Sequence, residues 1–144
     1  MARSYLSIFW RSVAVWLLII VAETGNGIIR EVLISPITGG QTGRQISFVI
    51  AIVLITAITL AFVRWIGAVD VGRLLGVGFF WAVLTLLFEV AASRMLAGRS
   101  WAETMADFDP ASGGLMAFGL AFLVIIPPLA ASVLSLFRPE IRAR

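Results

Sequence analysis

Ala22-Glu23-Thr24-Gly25-Asn26-Gly27-Ile28-Ile29-Arg30-Glu31 puts an acid, an amide and a base inside a run, from about Ser12 to Ile34, that otherwise reads as a membrane-spanning helix. On a helix, Glu23, Asn26, Gly27 and Arg30 fall at i, i+3, i+4 and i+7, so they share one face, and the glycine is expected to let another backbone approach. Facing lipid, these groups would have no partners. The face is therefore expected to point into a protein interior, and the rest of the chain must supply the helices that enclose it.

The composition supports that. The 144 residues are 60% hydrophobic and 13% charged, with a mean hydropathy of +1.04, outside the range of a soluble domain. The expected fold is all-α: one transmembrane domain over 1–144, a four-helix bundle with spans at approximately 12–34, 44–66, 71–97 and 113–137. There is no Cys and no His, which removes disulfides, thiol chemistry and imidazole or thiolate metal sites, so no cofactor and no metal is expected. All eleven basic residues are Arg, and a net charge of +3 suits anionic lipid near helix ends better than nucleic acid.

Taken in order, Arg3, Tyr5, Phe9, Trp10 and Arg11 read as an entry through the membrane interface. A signal peptide is the competing reading, but no small-x-small site ends the apolar run and the pattern continues to Ile34. Ser35-Pro36 is expected to stop span 1, and Ile37 to Gly43 to form a turn that lacks the spacing and lysine of a phosphate-binding loop. Span 2 carries Thr56 and Thr59, whose hydroxyls can bond their own helix. The short link Gly67-Ala68-Val69-Asp70 predicts that spans 2 and 3 form an antiparallel hairpin.

Span 3 opens with Gly72, Gly76 and Gly78, small residues suited to close helix crossing, and then sets Trp81, Thr85, Glu89 and Ser93 along one face. Beyond it, Ser100-x-x-Glu103 is a capping-box pattern, and 100–108 is expected to form a short amphipathic helix at the periplasmic interface. Glu103, Asp107 and Asp109 read as a solvated acidic face in preference to a divalent-cation site. Asp109-Pro110 is expected to cap and begin span 4, and Pro127-Pro128 to kink it.

Seven arginines (Arg3, Arg11, Arg64, Arg73, Arg138, Arg142, Arg144) fall at the N-terminal side and four (Arg30, Arg44, Arg94, Arg99) towards the other, which predicts both termini in the cytoplasm. Spans 1 and 3 run in the same direction, so depths can be compared. Glu89 lies about one turn farther out than Glu23 and is expected to ion-pair with Arg30 or Arg94. Glu23 has no base at its depth and Asn26 as nearest polar neighbour, which makes these two the candidate proton or ligand site.

Glu23, Asn26-Gly27-Ile28 and Arg30, with Pro36, Arg44-Gln45, Phe88-Glu89, Arg99-Ser100-Trp101, Asp107-Phe108-Asp109 and Gly113-Gly114-Leu115, resemble small four-span bacterial inner-membrane proteins to which no activity is attached. The resemblance implies a multi-pass inner-membrane protein. A likeness to small multidrug transporters stops at the membrane-embedded acid of span 1, because the second buried Glu, the two intramembrane Arg residues and the longer chain depart from that pattern. Two functions are consistent with the sequence. In one, the protein is an accessory or structural unit whose buried Glu/Arg pairs specify helix packing. In the other, it is a proton- or cation-coupled small-solute transporter, working through Glu23 in a homo-oligomer or larger membrane complex because four small helices enclose little volume. No nucleophile–base constellation is present, so no enzyme is expected.

Overall fold

The computed structural model describes residues 4–137; Arg3 and the basic tail Arg138 to Arg144 lie outside them. Helix α1 is Tyr5–Thr38, α2 is Gly40–Ile66, α3 is Val71–Leu96, α4 is Trp101–Ala106 and α5 is Met116–Leu136, with a single 3-10 turn at Pro110–Ser112. Among the described residues there is no strand. Helices α1, α2, α3 and α5 are long and apolar enough to cross a membrane, and their outward faces carry exposed Val21, Val53, Phe79, Leu87 and Leu129. Such a surface is stable against acyl chains and not against water. The chain is an all-α, multi-pass membrane protein.

Two element boundaries differ from expectation for local reasons. Helix α1 begins at Tyr5, with the Ser4 hydroxyl accepting the Ser7 N–H at 3.3 Å, and passes through Ser35-Pro36 to Thr38. What accommodates Pro36 is a π turn at Arg30–Ile34, in which the Ser35 N–H bonds the Arg30 carbonyl five residues back. The regular i→i−4 ladder is already broken there, so the missing proline N–H removes little. Gly39, at φ +85°, makes the break instead, and the expected turn over 37–43 shrinks to that one residue. Likewise Asp109 and Pro110 open only the 3-10 turn, closed by Gly113 at φ +79°, and α5 starts later, at Met116.

The order around the bundle is α1, α2, α5, α3. Helices α2 and α3 therefore sit diagonally, not as the packed hairpin that their short link predicts. Helix α5 comes between them: Ala130 packs with Val63 of α2 and Leu74 of α3. Its hold on α3 is a close backbone approach, because a Cβ at Gly78 would fall on the carbonyl oxygens of Leu123 and Val124. Those two carbonyls lie four residues before Pro127 and Pro128, whose missing N–H groups free them.

One half of the bundle is dry. Ile8, Val15, Ile19, Ile55, Ile66, Val77, Trp81 and Leu123 form its core, and the Trp81 indole N–H donates to the Ser12 carbonyl at 2.9 Å. The expected self-satisfied threonines of α2 are found, Thr56 donating to the Ile52 carbonyl and Thr59 to that of Ile55, each at 2.7 Å. At this end Arg11 stacks over Trp65 and Arg73 over Tyr5, each guanidinium 4.8 Å from the ring centre.

The other end is closed by the 97–115 connection. Its capping box is complete: the Ser100 hydroxyl accepts the Glu103 N–H at 3.2 Å, and the Glu103 carboxylate accepts the Ser100 N–H at 2.7 Å. That backbone bond, then the Ser100 side chain, holds the Glu103 carboxyl below the usual glutamate range, and the Ser112 hydroxyl followed by the Ala111 N–H does the same for Asp109. A depressed carboxylate stabilises the fold above its unfolded-state pKa and stops doing so as pH falls through its folded-state value. Amide-exchange protection of α4 is therefore expected to be constant through neutral pH and to disappear only below the ordinary carboxylate range; loss near neutrality would contradict this capping.

Candidate functional site

Where the dry core ends, the four spanning helices diverge around a cavity of about 890 Å³. Its wall is set from the first helix. Asn26 is only 5% exposed and is fixed to α2 by two bonds, its amide donating to the Ser47 carbonyl at 2.9 Å while its own carbonyl oxygen accepts the Ser47 hydroxyl at 3.1 Å. The clasp orients the Asn26 amide so that it also donates to Glu23 Oε2, at 3.4 Å. The second carboxylate oxygen, Glu23 Oε1, is shut off from solvent and has no hydrogen-bond partner. Leaving such a group unmatched costs about 1–3 kcal/mol, more when it is charged.

Glu89 of α3 lines the same cavity as Glu23. The expected ion-pair network is not what forms around it. Arg30 bridges to Glu31 at 3.0 Å, and Arg94 donates to the Arg99 carbonyl at 2.6 Å with its guanidinium 4.7 Å from the Trp101 ring centre. Among the described residues neither arginine forms a salt bridge with Glu89, although the Arg30 charge still acts on it. The physical reason is local. Arg30 begins a π turn and has an acid as its next neighbour, and Arg94 sits in a second π turn, at Ala92–Leu96, beside an aromatic ring.

The charged groups at the mouth of the cavity are hydrogen-bonded to one another and to neutral neighbours. Arg99 ion-pairs with Asp107 and donates to the Glu103 carbonyl at 2.9 Å, and Arg44 donates to Gln41 at 2.7 Å. The three carboxylates of the acidic loop are thus each engaged, Asp107 by Arg99, Glu103 by its cap and Asp109 by Ser112 at 2.7 Å. Among the described residues no three acids are grouped to hold a metal ion. At the inner edge, the Trp16 indole donates to Thr85 at 3.0 Å and marks where packing gives way to the cavity.

Two features were not foreseen from the sequence. Ser47, 3% exposed and the partner that makes Asn26 rigid, is one polar residue in an apolar run, and its only signal is its place one helical turn after Gly43 on the buried face of α2. Gly27 does not serve close packing: a Cβ placed on it would meet nothing within 4 Å, and it lines the cavity. Comparison of the chain with protein-family models, curated proteins and solved structures gives no match. The cavity itself is therefore the basis for a functional reading.

Proposed function

We propose that this membrane protein takes up a positively charged small solute, or a proton in its place, at Glu23 and moves it as a coupled transporter. The observation that carries the reading is the pair of acids Glu23 and Glu89 lining one large cavity, with Glu23 Oε1 left without a hydrogen-bond partner and the neighbouring arginines Arg30 and Arg99 bridged to other acids. A cation would supply the counter-charge that the neighbouring arginines give to other acids; a proton on Glu23 would remove its charge instead. The accessory-unit reading, in which Glu23 bonds Asn26 and Glu89 pairs with Arg30 or Arg94 to specify helix packing, keeps the first of these contacts and lacks the second. The dry half bars passage in this conformation, so movement requires a second conformation, and the small bundle favours a homo-oligomer or larger complex. The arginine bias of the sequence supports cytoplasmic termini.

Proteoliposomes carrying a pH gradient provide the test. Wild-type protein is expected to exchange protons for quaternary ammonium ions of at least one chain length, and Glu23→Gln to lose that flux by tenfold or more, about 1.4 kcal/mol or greater, while its melting temperature stays within a few degrees. Undiminished flux through Glu23→Gln would remove Glu23 from the mechanism.

A further inference from the structure

The seams between the helices around the cavity are not equally closed. Between α1 and α2 stand the Asn26–Ser47 clasp and Gly43, on which a Cβ would meet the Ser35 hydroxyl at 2.6 Å. Between α2 and α5, Phe48 lies over Gly119 and Gln41 over Gly113. Helices α3 and α5 are joined across the cavity end by the connecting segment: Ser93 bonds Thr104 at 2.8 Å, the Met116 N–H donates to the Asp107 carbonyl at 3.1 Å, and Gly114 admits the carbonyls of Ala106 and Asp107.

The seam between α1 and α3 differs. Its links are Arg73 to Tyr5, Trp81 to Ser12, Phe9 to Phe80, Trp16 to Thr85 and Trp16 to Phe88, all at or before Trp16 of α1. Beyond that level, among the described residues, no hydrogen bond, salt bridge or aromatic pair links the two helices, and the cavity lies between Glu23, Gly27 and Arg30 on one side and Glu89 and Ser93 on the other. Added Cβ atoms at Gly25 and Gly27 would meet nothing within 4 Å, and the flanking Ile28, Val32 and Leu96 are exposed. Gly27 is sixteen residues past Arg11, about 24 Å along the axis, and so inside a hydrocarbon layer ~30 Å thick. The gap faces acyl chains.

We infer that the cavity is loaded sideways from the lipid, through the gap between α1 and α3 beside Gly27, and that its ligand is an amphipathic organic cation. This rests on the reading of Glu23 as the charge-binding group. The two carboxylates take the charged end, and Phe48, Ile52, Phe88 and Leu120 give the remainder an apolar wall. Such a molecule is already concentrated in the leaflet that the gap faces. A strongly hydrated cation is not.

Titration calorimetry on the full chain in lipid nanodiscs, with empty discs subtracted, separates the parts of this proposal. Decyltrimethylammonium is expected to bind at least tenfold more tightly than tetramethylammonium. Gly27→Leu, and independently Ile28→Trp on the same rim, are expected to slow decyltrimethylammonium association tenfold or more in stopped-flow measurements on the same nanodiscs, because a blocked route changes rates. Their melting temperatures should stay unchanged, as should the association rate of Gly76→Leu, whose glycine lies in equally open space outside the cavity. Wild-type association rates in both rim variants overturn lateral loading, and equal affinity for the two cations overturns the amphipathic ligand. Wild-type affinity in Glu23→Gln overturns the charge-binding reading beneath it while leaving the chain-length comparison to stand or fall separately, and no binding of either cation by wild type overturns both.

Discussion

Gly78→Ala is expected to loosen α3 from α5 and to lower the melting temperature in detergent, although it adds a single methyl group. Pro127 and Pro128 remove the N–H groups that would otherwise hold the carbonyls of Leu123 and Val124, and within a membrane no water replaces them. Both carbonyls point at Gly78. Its Cα–H groups are the donors at hand, contributing about 0.5–1 kcal/mol for each weak bond. A Cβ there would lie 2.6 Å from the Leu123 oxygen and closer still to that of Val124, and because both are backbone atoms the helices must separate. Overpacking of this kind costs about 1–3 kcal/mol. Gly76→Ala is the matched control: nothing lies within 4 Å of its added Cβ, so it should keep stability or gain up to ~1 kcal/mol from helix propensity. Equal melting of the two variants would show that the approach of α5 to Gly78 does not hold the bundle together.

Trp81→Ala is expected to be more severe. The side chain is 0% exposed, lies at the centre of the dry half, and donates to the Ser12 carbonyl of the neighbouring helix. Truncating a buried tryptophan to alanine costs about 3–5 kcal/mol, from lost burial and the residual cavity. Trp81→Phe should recover most of the packing but not the bond, and so fall between. The same substitution removes the plug below the cavity, so Trp81→Ala liposomes should leak protons where wild-type ones hold a gradient. A melting temperature within two or three degrees of wild type would place the core elsewhere.

The four spans were legible in the sequence because length and apolarity decide them, and Ser100-x-x-Glu103 was legible because a capping box is a local contract between two residues. What was not legible depended on rotation or on absent neighbours. Depth along an axis matched Glu89 with Arg30, but a π turn changes which way the Arg30 side chain leaves the helix, and Glu31 is adjacent. Pro36 read as a stop because only the structure shows the wider turn that accommodates it. The link from Gly67 to Asp70 suggested a packed hairpin, yet it constrains only the ends of α2 and α3 and leaves α5 free to come between them. Of the glycines suited to crossing, Gly78 is used so and Gly76 is not, a distinction that resides entirely in Leu123 and Val124. Asn26 beside Glu23 follows from i+3 spacing, whereas its clasp to Ser47 requires knowing that α2 is the helix alongside.

The unequal halves of the bundle also determine how the protein would respond to voltage. Water filling the cavity would sustain little electric field, and the transmembrane potential would then fall mainly across the packed layer of Ile19, Ile55, Trp81 and Leu123. A cation that reaches Glu23 from the open half has crossed almost none of that potential, and one that continues past Trp81 must cross nearly all of it, about 2.3 kcal/mol for each 100 mV and unit charge. Binding at Glu23 should therefore be indifferent to membrane potential, and only the passage beyond Trp81 should generate current.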